Sequence, residues 1–106
     1  MPPDHDNPVL RLVSDHDDRS AWAAAVSAYG GLCWRIALRM LDDEHAATDA
    51  VQDCLLAIRG SARRFSPGSD ADAAAKAWVA KIAVNTCHEH RRRRRFAQSL
   101  PSDLAA

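Results

Sequence analysis

The sequence predicts an all-α fold, a small bundle of about four helices. Three observations carry this expectation. Apolar residues make up 47% of the 106 positions, and alanine is common among them. Glycine and proline are few, four and five residues respectively. No run of β-branched residues alternates with polar ones; apolar residues recur instead at helical spacing. A chain of this length buries one modest core, so one domain is expected.

The N-terminal stretch is rich in Pro and Asp and reads as a flexible leader over 1–16, although Val9, Leu10, Leu12 and Val13 are able to pack. The helical domain is expected over 17–96. Its first helix begins at Asp17 or Asp18, whose charge suits a helix N-terminus. Trp22, Val26 and Tyr29 form its apolar stripe, and Gly30-Gly31 is expected to break or kink it. A second helix then runs from about Leu32 to Leu41, burying Cys33, Ile36, Ala37 and Met40. Asp42-Asp43-Glu44 makes a polar connection. The third helix, about Glu44 to Arg64, carries the clearest period: Ala47, Ala50, Val51, Cys54, Leu55 and Ile58 share one face. Gly60 weakens its last turns. Ser66-Pro67-Gly68-Ser69-Asp70 is a turn signal. The fourth helix starts between Asp70 and Ala75, buries Trp78, Val79, Ile82, Ala83 and Thr86, and runs into five consecutive arginines. Residues 97–106 read as the start of an interdomain linker.

The formal charge of zero hides a division along the chain. Residues 1–53 hold ten acids and four arginines, a net of −6; residues 54–106 hold ten basic residues and four acids, a net of +6. Such a split predicts two different partners, with the basic half facing a polyanion. No apolar run reaches the ~20 residues of a membrane span, and no signal peptide is recognisable. A soluble, cytoplasmic protein without membrane insertion is the expectation. Cys33, Cys54 and Cys87 make an odd count without a CxxC pair, which argues against a zinc finger or a disulfide framework. The Cys87-His88-Glu89-His90 run contains metal-ligand types, but neighbouring helical side chains diverge by about 100° and do not converge on one ion. No metal and no cofactor is expected. With no nucleophile elbow, phosphate-binding glycine loop or paired-carboxylate pattern, the chain does not read as an enzyme.

Two helix faces differ from plain surface. On the third helix, Gln52, Asp53 and Leu56 lie within about 60° of Asp49 around the axis. An outward leucine ringed by two carboxylates and an amide has the anatomy of a binding patch, an apolar anchor with a charged rim. Its acidic surround predicts a basic partner. On the fourth helix, Lys81, Asn85, His88 and Arg92 form a polar stripe at i, i+4, i+7 and i+11. Lys and Arg neutralise phosphates, and Asn reads a base edge. The stripe leads into Arg91, Arg92, Arg93, Arg94 and Arg95, more positive charge than complementing a helix dipole requires. The two faces are expected on opposite flanks, with Leu56 and Asn85 both open to solvent.

Residues 22–95 resemble region 2 of the extracytoplasmic-function (ECF) sigma factors of bacterial RNA polymerase. Tyr29-Gly30 and Arg35-Ile36-Ala37-Leu38-Arg39-Met40-Leu41 are similar to the family's opening helices. Asp49-Ala50-Val51-Gln52-Asp53 resembles its "DAVQE" segment, and Arg64-Phe65-Ser66-Pro67-Gly68 its "RFDPG" turn. Ala77-Trp78-Val79-Ala80-Lys81-Ile82-Ala83-Val84-Asn85 resembles its "AWLYRIARN" helix. The resemblance implies that Asp49, Gln52, Asp53 and Leu56 dock on the clamp helices of the polymerase β′ subunit. It implies that Asn85 contacts a base in the non-template strand of the promoter −10 element. Arg63, Arg64, Ser66, Lys76, Lys81, His88 and the five arginines would complete the DNA-binding set, and the turn from Ser66 to Asp72 would hold a flipped base. An anti-sigma factor is a further expected partner. The chain departs from the family pattern in a longer loop between Gly68 and Trp78, in Ala75 where an aromatic is common, in Arg59 where Trp is frequent, and in Glu89 where Asp is usual. Region 4, the family's −35-reading domain, is absent from the sequence. The rival reading is a small helical module that binds nucleic acid nonspecifically, or regulates another protein, through its arginine-rich tail.

Overall fold

An aspartate or an asparagine caps each α-helix among the described residues. The computed structural model describes residues 7–15, 17–66, 68–101 and 103. Helix α1 spans Pro8–Ser14, α2 Arg19–Leu41, α3 Glu44–Ser61 and α4 Ala71–Ser99; a 3-10 turn, Ala62–Arg64, follows α3. Asn7 caps α1 by accepting from the Val9 amide, Asp18 caps α2 through Ser20 and Ala21, Asp43 caps α3 through His45 and Ala46, and Asp70 caps α4 through Ala73. Each side chain satisfies amides that the first helical turn leaves without a partner. Between α2 and α3 the chain reverses on two residues. Asp42 takes the left-handed conformation (φ 52°) and ends α2, and Asp43 begins the next helix. A short polar side chain is among the few that enter this region readily.

Several expected boundaries move. The Gly30-Gly31 pair does not break the chain, because α2 runs through it. Glycine in a helix interior costs about 1 kcal/mol relative to alanine. The buried line Ala21, Ala25, Tyr29, Cys33, Ala37 and Leu41 continues across the pair, and its packing outweighs that penalty. Within the expected leader, residues 8–14 form α1, which buries Val9 and Leu12 completely. The Asn7 amide donates to the Tyr29 hydroxyl (3.0 Å) and to Asp72 Oδ1 (2.6 Å), tying the start of α1 to α2 and α4. Burial pushes the Tyr29 hydroxyl up from its ordinary pKa. Residues 1–6 and His16 of that leader and Pro67 of the expected turn lie outside the described residues, as do Ser102 and 104–106 of the expected linker.

The helices meet along lines of small side chains. α3 buries Ala47, Ala50, Cys54 and Ile58; α4 buries Ala71, Ala75, Val79, Ala83 and Cys87. The larger residues expected at the contact, Trp22, Val26, Trp78 and Ile82, are only half-buried beside it. Alanine at the line of closest approach lets the axes come near, and bulkier neighbours wrap the flanks. Cys33, Cys54 and Cys87 come from α2, α3 and α4 and are all buried free thiols. A hydrogen bond with Cys54, reinforced by burial, raises the Cys33 thiol; burial pushes Cys87 up to about 11. The fourth helix outlasts the bundle: Arg92 to Ser99 are exposed, and helix continues past the expected boundary at Phe96. Among the described residues no helix is long and apolar enough to cross a membrane.

Candidate functional site

The outward face of α3 forms as its spacing predicts. Asp49, Gln52 and Asp53 are exposed, and Leu56 is 61% exposed among them. The anchor is broader than one side chain. Trp22 from α2 joins Gln52, Leu55 and Leu56 around an apolar hollow of about 280 Å³. Trp22 also lies under the Arg59 guanidinium, 5.8 Å from ring centroid to Cζ, and Arg59 reaches Asp17 at 3.3 Å. The periodicity assigns Trp22 to the core. A tryptophan is so large that a half-buried rim position is its common place, which is the one signal that could have marked it.

Lys81, Asn85, His88 and Arg92 are all exposed along α4, so the polar stripe stands. Its relation to α3 differs from the expectation of opposite flanks. Asp53 and Asn85 line the same hollow of about 500 Å³, together with Thr86, Glu89, His90 and Arg93. The His90 ring nitrogen Nε2 lies 2.7 Å from Asp53 Oδ2. Asp53 precedes the buried Cys54, which faces α4 across the core, and that places its carboxylate at the edge where α3 and α4 pack. Acidic face and polar stripe therefore adjoin along one seam. Nothing in the sequence marks a pairing across 37 positions, and His90 is absent from the expected site.

The five arginines divide by environment. Arg92 forms a two-pronged contact with Glu89, and Arg93 lies 3.5 Å from the same carboxylate. The Arg92 hydrogen bond, aided by both positive charges, holds the Glu89 carboxyl below its usual range. Arg94 turns back to the α2–α3 reversal, donating to the Leu41 carbonyl (3.3 Å) and facing Asp43 (3.6 Å). The Ala46 and His45 amides, with Arg94 contributing less, lower the Asp43 carboxyl. Arg91 and Arg95 flank a hollow of about 170 Å³ with Met40, Leu41, Arg94 and Gln98. Arg94 thus ties α4 to the α2–α3 reversal, while Arg92 and Arg93 share the Glu89 carboxylate in exposed ion pairs, which are weak.

Arg63 and Arg64 are exposed on the 3-10 turn, and Ser66 is exposed just beyond it. Phe65 between them is buried, its ring 5.3 Å from that of Trp78, which anchors the turn to α4. Lys76 is not gathered with this set. It lies about 180° around α4 from Asn85 and lines a different hollow, with Tyr29 and Leu32 of α2.

A family model for sigma-70 region 2 matches residues 25–97, which include α3, the turn and α4 through the arginines. Among curated proteins and solved structures no match is found.

Proposed function

The chain belongs to the sigma-70 region 2 family, and on that premise we propose that it acts as the region 2 domain of an ECF-type sigma factor. Membership implies a sigma factor's role in binding RNA polymerase and recognising the promoter −10 element. Our finer reading assigns the two faces. Asp49, Gln52, Asp53 and Leu56, with Trp22 beside them, dock on the basic side of the β′ clamp helices. Asn85 reads a base of the separated non-template strand, while Lys81, His88 and the exposed arginines, joined by Arg63 and Arg64, hold its phosphates. Ser66 and the turn up to Asp72 receive an extruded base. Extrusion costs a few kcal/mol, and capturing the base biases the duplex towards opening without covalent chemistry. An anti-sigma factor acting in the cytoplasm is the proposed regulator.

The observation that supports this most is the exposed Leu56, ringed by carboxylates on a helix whose edge residue Asp53 adjoins the exposed Asn85. One helix edge then serves both the polymerase and the opened strand. The test is a pull-down of purified core polymerase with labelled single-stranded −10 oligonucleotides. Asp49→Lys with Asp53→Lys should abolish polymerase binding while circular dichroism keeps its helical signal. Asn85→Ala should weaken −10 strands about tenfold more than scrambled ones, the loss expected of one base contact. Normal polymerase binding by the double variant would remove the docking face, and equal losses on both strands would remove base reading.

A further inference from the structure

A third surface, used by neither face above, runs along the outer side of α2. One hollow of about 490 Å³ is lined by Leu32, Arg35, Ile36, Leu38 and Arg39. A second, of about 410 Å³, shares Leu32 and Arg35 with it and reaches Lys76 on α4. The two make one groove over residues 27–39, about 18 Å at helical rise. Its aliphatic part is Leu32, Ile36 and Leu38, the end towards Lys76 is more polar, three cations line it, and among the described residues no carboxylate does. Several guanidinium groups elsewhere meet acids: Arg11 faces Asp18, Arg59 faces Asp17, Arg92 faces Glu89 and Arg94 faces Asp43, while Arg19, Arg64, Arg91 and Arg95 meet none among the described residues. Arg35, Arg39 and Lys76 meet none among the described residues.

We propose that this groove seats an acidic amphipathic helix of a partner protein. Three turns of such a helix match the groove's length, with apolar residues of its inner face on the aliphatic side chains of Leu32, Ile36 and Leu38 and Asp or Glu on the three cations. A nucleic-acid strand fits less well. Single strands bind by stacking bases on exposed rings, and the only ring here, Tyr29, is buried with its hydroxyl held by Asn7. No α3 residue lines the groove, and Lys76 points away from Asn85, so the inference stands whether or not the proposed polymerase and promoter contacts hold.

The probe is a synthetic 18-residue helical peptide with leucines along one face and glutamates flanking them. Its controls are a composition-matched scramble, a version with lysines for glutamates, and a single-stranded oligonucleotide. Amide shifts of the isotope-labelled protein locate binding, and fluorescence anisotropy measures it. The acidic peptide should shift residues 27–39 and those around Lys76, and neither peptide control should. Arg35→Glu with Arg39→Glu should weaken it about tenfold or more, roughly the worth of two reversed charge contacts. That variant should keep its helical content and its binding to core polymerase. The proposal is overturned if the scramble binds equally or if shifts fall on residues 49–56. It also fails if the oligonucleotide produces the stronger response at 27–39. Self-association in sedimentation that the double reversal abolishes would make a second copy the occupant instead.

Discussion

The two halves of α4 share one helix and almost nothing else. From Ala71 to Cys87 a buried residue returns at every fourth position, and the helix is held by packing against α2 and α3. From Arg92 to Ser99 every residue is exposed, Phe96 among them at 62%. The first half is specified by tertiary contact. The second is specified by intrinsic propensity, by the i, i+3 and i, i+4 pairs to Glu89, by continuity with the half that is anchored, and by one tertiary tie, Arg94 to the Leu41 carbonyl and Asp43. A helix can thus project a charged segment well beyond its bundle, provided its earlier turns are locked in place.

The sharpest way to break this contrast is one substitution in each half. Val79→Ala removes buried methyl groups at the α2–α3–α4 junction and should lower unfolding free energy by about 2 kcal/mol. Gln98→Pro should leave the denaturant midpoint unchanged and merely raise amide exchange in the last turns. Equal losses at both positions would mean that the projecting end also packs.

Alkaline pH should strain the same junction. Cys87, pushed up to about 11 by burial, has a folded value above that of a free thiol. Its contribution to stability is full below the unfolded thiol's pKa and is lost as pH rises through the folded one. The unfolding free energy from urea titrations should therefore fall between about pH 9 and 11 by roughly 2 kcal/mol, and Cys87→Ala should flatten that slope. An unchanged slope in the variant would assign the effect to Tyr29 or Cys33.

A smaller effect tests the brace between the projecting half and the rest. Asp43→Ala loses the α3 cap and the Arg94 contact together, and should cost about 1 kcal/mol. Arg94→Ala should cost less than half as much, since its pair is exposed. If Arg94→Ala proved the more damaging, the Leu41 carbonyl contact would be the dominant tie.

Much of this was legible before any coordinates. The all-α class, the α3 period, the outward Leu56 and the Lys81–Asn85–His88–Arg92 stripe follow from local spacing, because a helix sets which side chains share a side within a few residues. The continuity of α2 through Gly30-Gly31 did not follow, since a local penalty was outweighed by packing with distant partners. Neither did the helix in the supposed leader, where Val9 and Leu12 had to find their cover before Asn7 could reach Tyr29 and Asp72.

The sequence by itself determined the all-α class, the faces of α3 and α4 and the sign of charge along the chain, all properties of neighbours a few positions apart. Only the tertiary structure decided that Asp53 meets His90 and that the acidic and polar faces adjoin at a seam instead of lying on opposite flanks. It also decided that Lys76 belongs to the α2 groove and Trp22 to the α3 rim. Those facts depend on how helices rotate and cross, which small residues at their closest approach control and which no spacing within one helix records.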